Sequence, residues 1–384
     1  MRFLRSITGR APLVIVPFMA TAMAVSLWPQ TAVNARSESP RHPAPAGCVG
    51  SSAACYFIVT VDDKANNNNY VTGIENDYNI VGAYSSDNQI YNSFWASPNP
   101  EPTTMVTPGY PTFSAEDDST YLSTFLQGLN NYASQSSAYQ VGYVDNGLVG
   151  GAAGVIYHGG IWTTISNPNQ GTCAVTKVLA INDTLQGVGY YLKPTGGTCE
   201  PQAFEFYPSG SGFTYVDFSP PPPPSQAYVS STANGINTLG DVVGTVSYGS
   251  PSQPHHAVWL YSELKYSTFK NGSDESFGQG LNFNDGVVGD YVDSSGTHGF
   301  LVQNPQAATP TFLALDASSH SPPYTVVNSI NTAWAIAGWY ADGSGTNHGF
   351  VGICGPCPNI GGAPQRSRSR VRTHQAHYKI STPQ

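Results

Sequence analysis

Hydrophobic and polar positions along the chain repeat in a two-part pattern. A short segment of a small, an aliphatic and a polar residue is followed, several positions later, by aliphatic residues ending in glycine. The copies are Gly73-Ile74-Glu75 with Ile80-Val81-Gly82, Gly128-Leu129-Asn130 with Val141-Gly142, Ala180-Ile181-Asn182 with Val188-Gly189, Gly235-Ile236-Asn237 with Val242-Val243-Gly244, Gly280-Leu281-Asn282 with Val287-Val288-Gly289, and Ser329-Ile330-Asn331 with Ile336-Ala337-Gly338. The third residue of the first segment recurs at intervals of 55, 52, 55, 45 and 49 residues. Such a period predicts one supersecondary unit used six times.

The clearest repeat predicts how each unit is built. Apolar runs at 326–331, 335–341 and 348–353 predict three strands, and the run at 311–315 in the preceding repeat predicts a fourth. Turn residues such as Asn284-Asp285-Gly286 separate the runs, and these residues reach the positive φ angles that tight hairpins require. Each unit is therefore predicted to be about four short antiparallel strands.

A four-stranded unit of this size cannot bury both of its faces alone, so its copies must pack on one another. The sequence predicts an all-β fold, a six-bladed β-propeller of four-stranded antiparallel blades at 55–357. The last repeat lacks a fourth strand after Ile353, whereas the run at 55–61 precedes the first motif and is unassigned. We therefore expect this N-terminal strand to close the ring. An open β-solenoid is the alternative, although its repeats are usually shorter.

The two ends of the chain predict export. A basic start, an apolar stretch and Val33-Asn34-Ala35 predict a signal peptide at 1–35, with an uncleaved membrane anchor as the alternative. Residues 36–54 are predicted to be a linker, and the Arg-rich segment 358–384 a disordered basic tail. We expect no membrane span once the signal is removed.

Charge further restricts the function. The net charge is −9, and all 24 acidic residues lie between 36 and 363, where only seven Lys or Arg residues occur. Phosphate contacts need clustered positive charge, so we expect no nucleic-acid partner. The run of five prolines at 220–224 predicts a stiff connector between the third and fourth blades.

Six cysteines, an even number, favour an oxidising compartment. Cys173 and Cys199 are candidates for a local disulfide, and Cys48 or Cys55 for a bridge to Cys354 or Cys357 that staples the closing strand. Cys354-Gly-Pro-Cys357 also has the spacing of a redox or metal motif, but no thioredoxin-like pattern surrounds it. Structural disulfides are the preferred interpretation.

A second element begins the third strand of the last three repeats. It reads His256-Ala257-Val258-Trp259, His298-Gly299-Phe300-Leu301 and His348-Gly349-Phe350-Val351. Together with the first motif, over residues 70–353, it resembles the probable extracellular HAF repeat family, named for its His-Ala-Phe signature. In the first three repeats the histidine register holds Asn92, Ala153 and Gln202. The resemblance implies export and a repeated β architecture, and it brings no activity, substrate or catalytic residue.

The repeated polar residues are predicted to be structural. His256, His298 and His348 are expected to bond backbone groups of neighbouring strands or turns, because off-axis positions on separate blades do not converge on one metal ion. Asn130, Asn182, Asn237, Asn282 and Asn331 are expected to satisfy turn backbone by local hydrogen bonds. We predict no cofactor, no metal and no catalytic residue, since none of the familiar catalytic motifs is present.

These features favour a secreted or cell-surface, non-catalytic, monomeric repeat protein. It would serve as a binding or structural module for an extracellular polysaccharide or protein, contacted through loops at one end of the ring. The alternative is an extracellular polysaccharide hydrolase or lyase on the same scaffold. An enzyme should gather non-repeated carboxylates, Tyr or His near the ring axis, whereas a binding scaffold should show only repeat-equivalent polar groups there.

Overall fold

The computed structural model describes residues 49–51, 54–62, 68–86, 90–99, 109–110, 112–131, 134–145, 151–210, 212–318 and 320–354. The predicted signal peptide, the predicted tail and most of the predicted linker lie outside the described residues. So do Cys48, Cys357 and the side chain of Cys55.

The described strands form six antiparallel sheets, which we number as blades along the chain. The chain begins with β1 (Val49–Ser51) and β2 (Ala54–Val61). Blade 1 contains β3 (Asn68–Ile74), β4 (Ile80–Ser85), β5 (Asn92–Ala96) and β6 (Phe113–Ala115). Blade 2 contains β7 (Ser123–Leu129), β8 (Gln140–Asp145), β9 (Ala152–His158) and β10 (Ile161–Ile165). A 3₁₀ helix, Pro168–Cys173, leads to blade 3, with β11 (Thr176–Ile181), β12 (Gly187–Thr195), β13 (Thr198–Ser209) and β14 (Gly212–Asp217).

The second half continues the same order. Blade 4 contains β15 (Tyr228–Ile236), β16 (Val242–Ser250), β17 (Gln253–Ser262) and β18 (Lys265–Phe269). Blade 5 contains β19 (Glu275–Leu281), β20 (Val287–Asp293), β21 (Gly296–Val302) and β22 (Phe312–Leu315). Blade 6 contains β23 (Thr325–Ile330), β24 (Ile336–Ala341) and β25 (Asn347–Cys354). The four strands predicted at 311–315, 326–331, 335–341 and 348–353 are confirmed within a few residues.

The N-terminal strand completes the last blade, as predicted. β2 pairs antiparallel with β25, so that Phe57 lies opposite Ile353 and Thr60 opposite Phe350. β1 then pairs with β2 and adds a fifth strand to this sheet. The predicted six-bladed β-propeller closed by an N-terminal strand is therefore confirmed.

The apolar core lies between the blades. Each cluster joins the facing sides of neighbouring sheets, for example Val188 with Trp259, Val258 with Phe300, and Val351 with Phe94. Each blade therefore packs one of its faces against the preceding blade and the other against the following blade. A single four-stranded unit for this reason has no stable core of its own.

The glycine that ends each second-strand motif is required by close packing. A Cβ added at Gly289 would overlap the carbonyl oxygen of Phe277 and would lie 2.9 Å from the ring of Phe300. Gly244 is confined in the same way by Thr232 and by the indole of Trp259. In blades 1, 4, 5 and 6 the aromatic residue of the third strand thus lies directly over the glycine of the second strand, and this contact links the two sequence motifs.

Candidate functional site

The two ends of the ring carry different connections. At one end, which we call the turn face, lie the connections from the first to the second strand of each blade and those from the third to the fourth strand of blades 1 to 5. At the other end, which we call the loop face, lie the connections from the second to the third strand and the connections between blades. The described inter-blade connections include 166–175, which contains the 3₁₀ helix, and 218–227, which contains the proline run. The predicted connector between blades 3 and 4 is thus where the sequence placed it.

Four motif asparagines link blades across the turn face. Oδ1 of Asn237 accepts hydrogen bonds from the backbone N–H groups of Leu239 and Asp241, at 2.9 and 3.0 Å. Its Nδ2 donates to the backbone oxygen of Asn282, in the next blade, at 3.2 Å. The same onward bond joins Asn182 to Asn237, Asn282 to Asn331, and Asn331 to Glu75. We call Asn182, Asn237, Asn282 and Asn331 the asparagine ladder. The predicted local bonds are present at these four residues, and the bonds between blades are an addition that the sequence did not indicate.

The ladder does not continue through blade 2. Oδ1 of Asn130 accepts from the N–H of Tyr139 at 2.8 Å, but its buried Nδ2 has no hydrogen-bond partner among the described residues. Glu75 replaces asparagine in blade 1, and its carboxyl oxygens accept from the N–H groups of Asp77 and Asn79. Blade 2 is linked to blade 3 instead by Asn131, whose N–H donates to Oδ1 of Asp183 at 2.8 Å.

A narrow channel of about 90 Å³ lies along the axis. Every first strand has a β-bulge just before its motif, and the bulged residues line the channel. They are Thr72, Gln127, Leu179, Asn234, Gln279 and Asn328. Several bond the following blade: Asn234 Nδ2 donates to Gly278 O at 2.7 Å, and Asn328 Nδ2 donates to Val71 O at 2.8 Å. The described residues that line this channel are all neutral, with amide, hydroxyl or apolar side chains.

Two of the third-strand histidines lie at the loop face between carboxylates. His298 Nδ1 lies 3.0 Å from both carboxylate oxygens of Asp316, and its Nε2 lies 3.2 Å from Asp293. His348 Nδ1 lies 2.8 Å from Asp62, and its Nε2 lies 3.4 Å from Asp342. The predicted partners were backbone groups, so the prediction was wrong about the kind of partner. Asp62 follows β2, so the second contact joins the closing strand to the blade it closes.

His256 does not share this position, contrary to the sequence register. His298 pairs across the sheet with Tyr291 and His348 with Tyr340, two residues after the second-strand glycine in each case. In blade 4 that position pairs with Ala257, and His256 lies one residue further along. Its backbone N–H and its Nδ1 instead contact Glu275 of blade 5, which also accepts from His255.

These contacts shift the pKa values of the histidines and of Glu275. The hydrogen bond that His298 donates to Asp316 raises the pKa of His298 above its usual value. Burial lowers the pKa of His348, but the hydrogen bonds to Asp62 and Asp342 outweigh it and raise the pKa overall. Burial raises the pKa of Glu275, but the hydrogen bonds from both neighbouring histidines lower it to about 2.

Three buried carboxyl groups have a raised pKa, in contrast to Glu275. Burial raises the pKa of Glu75, Glu116 and Asp290 to about 7 in each case. Glu116 is 3% exposed, and its Oε1 has no hydrogen-bond partner in the part of the chain that the structure describes. It follows β6 at a position where other blades have buried apolar residues such as Phe218 and Leu315. The repeat alignment, applied to the fourth strands, would have singled out Glu116.

The predicted local disulfide is present. Cys173 and Cys199 are joined, with their Cα atoms 5.8 Å apart, and they tie the connection into blade 3 to the hairpin between β12 and β13. Cys354 is also disulfide-bonded. Its predicted partners, Cys48 and Cys55, lie outside the described side chains. Within the described ranges there is no cluster of three or more His, Cys, Asp or Glu residues that could hold a metal ion. Those ranges also contain no helix long and apolar enough to cross a bilayer.

Comparisons with known proteins found solved structures that are similar to the chain at low identity. No protein-family model and no curated protein matches the chain. A variant of the Aleuria aurantia lectin, in complex with Fucα1-6GlcNAc, is similar with a TM-score of 0.39 and 10% identity, over 78% of this chain and 98% of the lectin chain. A glycoside hydrolase is similar with a TM-score of 0.39 and 7% identity, over 80% of this chain and 92% of that chain. The six-bladed assignment therefore rests on the strand pairing of the chain itself.

Proposed function

We propose that the chain is a secreted or cell-surface, non-catalytic, monomeric repeat protein that binds or organises an extracellular polysaccharide or protein. The signal-like N-terminal sequence, the disulfide between Cys173 and Cys199, and the acidic composition support an extracellular role. The third-strand elements of blades 4 to 6 support membership of the HAF repeat family.

The composition of the axial channel is the observation that carries this proposal. An active site is normally singular and uses titratable side chains. The described residues of the channel wall come from the six first strands and the turns that follow them, and none of them is titratable. Most of their polar groups with assigned bonds connect one blade to the next. This arrangement supports a scaffold rather than a catalytic funnel.

The loop face is the proposed contact surface. On the opposite face, the turns between the first and second strands share one hydrogen-bond pattern in blades 1 and 3 to 6, and their amide groups are largely occupied by the asparagine ladder. The loop-face connections differ from blade to blade in length and in chemistry: one is tied by a disulfide, and one contains the proline run. Variable segments on a rigid repeat scaffold are where recognition is usually found.

A polysaccharide hydrolase or lyase is the second candidate, and Glu116 is the observation that favours it. A buried carboxyl group with a pKa raised to about 7 and an unpartnered oxygen has the properties of a general acid. Glycosidases use two carboxyl groups roughly 5 to 9.5 Å apart. Asp117 is the adjacent carboxylate, but its Oδ1 accepts from the N–H of Ser93 at 2.7 Å, which directs it toward its own sheet.

The test is a screen of the purified protein against glycan and polysaccharide panels, with binding and reducing-end release measured in parallel. We expect retention on at least one polymer with no new reducing ends. Release of sugar ends that disappears in Glu116→Gln would overturn the non-catalytic proposal and establish the second candidate. Absence of binding to every polysaccharide and protein tested would overturn both. Light scattering of the same sample checks the monomer.

A further inference from the structure

The axial channel ends at the turn face, where neighbouring blades contact one another. Each repeat places there the residue that follows its first motif, and these six residues are Asn76, Asn131, Asp183, Thr238, Phe283 and Thr332. All of them except Asp183 line the channel. The N–H of Thr332 donates to Oδ1 of Asn76 at 3.0 Å, and the N–H of Asn76 donates to Oδ1 of Asn131 at 3.2 Å. Asp183 accepts from Asn131 and, at 3.3 Å, from Oγ1 of Thr238. Blades 6, 1, 2, 3 and 4 are thus connected in order at the mouth of the channel.

Phe283 interrupts these contacts in blade 5. The equivalent residues are Asn, Asp or Thr, whereas a phenyl ring cannot join a chain of hydrogen bonds. Phe283 is half-buried, but it belongs to neither of the apolar clusters that flank blade 5, those of Val258 and of Leu301. An aromatic residue that lies at a polar channel mouth and outside the neighbouring cores is typical of a ligand contact.

Gln127 departs from the repeat on the opposite side of the channel, because blades 2 and 5 face each other in a ring of six. It is the bulged residue of blade 2. Three other bulged residues donate to a carbonyl of the next blade, and Gln279 donates to Asp290 at 3.1 Å. Gln127 is half-buried, and its amide forms no hydrogen bond with any residue that the structure describes. This amide is therefore available to a group that enters the channel.

The free polar groups favour a neutral ligand rich in hydroxyl groups. Besides the Gln127 amide they include Nδ2 of Asn76, whose Oδ1 is already used by Thr332. Amides donate and accept hydrogen bonds without charge, and the described lining residues offer no charged group to stabilise an ion. A sugar matches these groups and the Phe283 ring, because it has hydroxyl groups at its edges and C–H groups on its faces. A peptide would need backbone partners, and the turns use theirs among themselves.

The shape of the channel determines how such a ligand enters. The channel is narrow, with a volume of about 90 Å³, and it admits the end of one chain rather than a chain lying across it. Gln127 precedes Asn131 by four positions, so it lies deeper along the axis than the residues at the mouth. An entering chain therefore passes Phe283 first and reaches Gln127 with its end.

We propose that the channel binds the end of a neutral extracellular polysaccharide. The terminal sugar exchanges hydrogen bonds with the Gln127 amide. The following sugar lies against the Phe283 ring and accepts a hydrogen bond from Nδ2 of Asn76. This inference rests on the proposed binding function, specifies its ligand class, and adds a contact at the end of the ring opposite the loop face.

Calorimetric titration of the purified protein with defined oligosaccharides tests this site. The neutral probes are the linear trisaccharides and hexasaccharides of the malto, cello, manno and xylo series, and the acidic comparison is trigalacturonate and hexagalacturonate. We expect one neutral series to bind at least about tenfold more tightly than the galacturonates, because the described channel lining has no cation to pair with a carboxylate. The trisaccharide and the hexasaccharide of that series should bind within about threefold of each other, because only the chain end enters.

Two substitutions replace each candidate residue by the one found in an equivalent blade. Phe283→Thr introduces the residue of blades 4 and 6 and should weaken binding at least about tenfold. Gln127→Leu introduces the residue of blade 3 and should weaken binding about fivefold. Phe213→Thr is the matched control and should leave the affinity unchanged, because Phe213 is also half-buried and near the turn face but lies on the outermost strand of blade 3. Near-UV circular dichroism checks that each variant is folded, and if one of the first two does not fold, the other carries the test.

The outcomes separate this site from the proposed function. Unchanged affinity in both folded variants, or binding to proteins alone, overturns the channel site but leaves the proposed function in place. Tighter binding of a galacturonate than of every neutral oligosaccharide also overturns the site, as does an affinity that rises at least about tenfold from trisaccharide to hexasaccharide. A rise in Tm with calcium that is lost in Gln127→Leu would assign the channel to a cation instead. Failure to bind any glycan or protein overturns both the site and the proposed function.

Discussion

Replacing Asn282 by alanine removes three hydrogen bonds from one buried side chain. Oδ1 accepts from the N–H groups of Asn284 and Gly286, at 3.0 and 2.9 Å, and Nδ2 donates to the carbonyl of Asn331 at 3.0 Å. The N–H of Gly286 is buried and would lose a side-chain acceptor, at a cost of about 1–3 kcal/mol. The carbonyl of Asn331 would keep its bond from Trp334, so that loss is nearer to about 1 kcal/mol. We expect the free energy of unfolding to fall by about 3 kcal/mol in total. The lost bond to the N–H of Asn284 adds little, because water can replace the acceptor.

Asn130→Ala is the matched control for this prediction. Asn130 is equally buried, but it makes one assigned side-chain bond, and its Nδ2 has no partner. Its replacement should cost about 1 kcal/mol. Scanning calorimetry should therefore show a Tm lower by at least about 4 °C in the Asn282 variant than in the Asn130 variant. Equal losses in the two variants would show that the ladder adds nothing to ring stability.

The substitution Asn282→Asp tests the hydrogen bond between blades independently of the bonds within the turn. Aspartate keeps the two acceptor bonds of Oδ1 but places a carboxylate, which cannot donate, against the carbonyl of Asn331. We expect a loss of about 1–2 kcal/mol at neutral pH that is recovered on acidification, when the protonated acid can donate again. A variant as stable as the wild type at pH 7 would contradict the assigned direction of this bond.

Three further predictions concern the scaffold. Burial raises the pKa of Glu75 to about 7, so the folded state retains a proton that the unfolded state releases above its ordinary pKa of 4.5. Stability should therefore fall as the pH rises through that window, by up to about 3 kcal/mol from this group, and Glu75→Gln should flatten the slope of unfolding free energy against pH. Reduction of the bridge between Cys173 and Cys199, which are 26 residues apart, should lower the free energy of unfolding by about 3 kcal/mol. Urea denaturation measures this loss, and a Cys173→Ser, Cys199→Ser double variant, which cannot form the bridge, is the control. Gly289→Ala should lower the soluble yield and the Tm more than any surface alanine substitution, because its Cβ overlaps the carbonyl of Phe277.

Much of the architecture could be predicted because it is encoded locally and repeated. The alternation of apolar runs and turn residues predicted the strands, and the missing fourth strand after Ile353 predicted the pairing with 55–61. The bonds between blades could not be predicted in this way. They join residues about 50 positions apart, such as Asn237 and Asn282, and they depend on how two sheets pack.

The error at His256 has a physical origin. The aromatic residue that covers the second-strand glycine fixes the register, and it lies two residues after His298 but three residues after His256. Aligning the histidines rather than Phe300 and Trp259 therefore shifted blade 4 by one position.

The pairing of β2 with β25 also determines when the molecule can be finished. β2 is synthesised before every blade, and β25 is synthesised after all the other described strands. The last sheet therefore cannot form until almost the whole chain has been made. During that interval β25 presents an open edge, which is the kind of surface through which nascent chains aggregate or exchange strands. A second molecule's N-terminal segment, present at high concentration, is a direct competitor for that edge. The contact of His348 with Asp62 would form equally with either segment, so the higher effective concentration of the tethered segment favours closure within one chain.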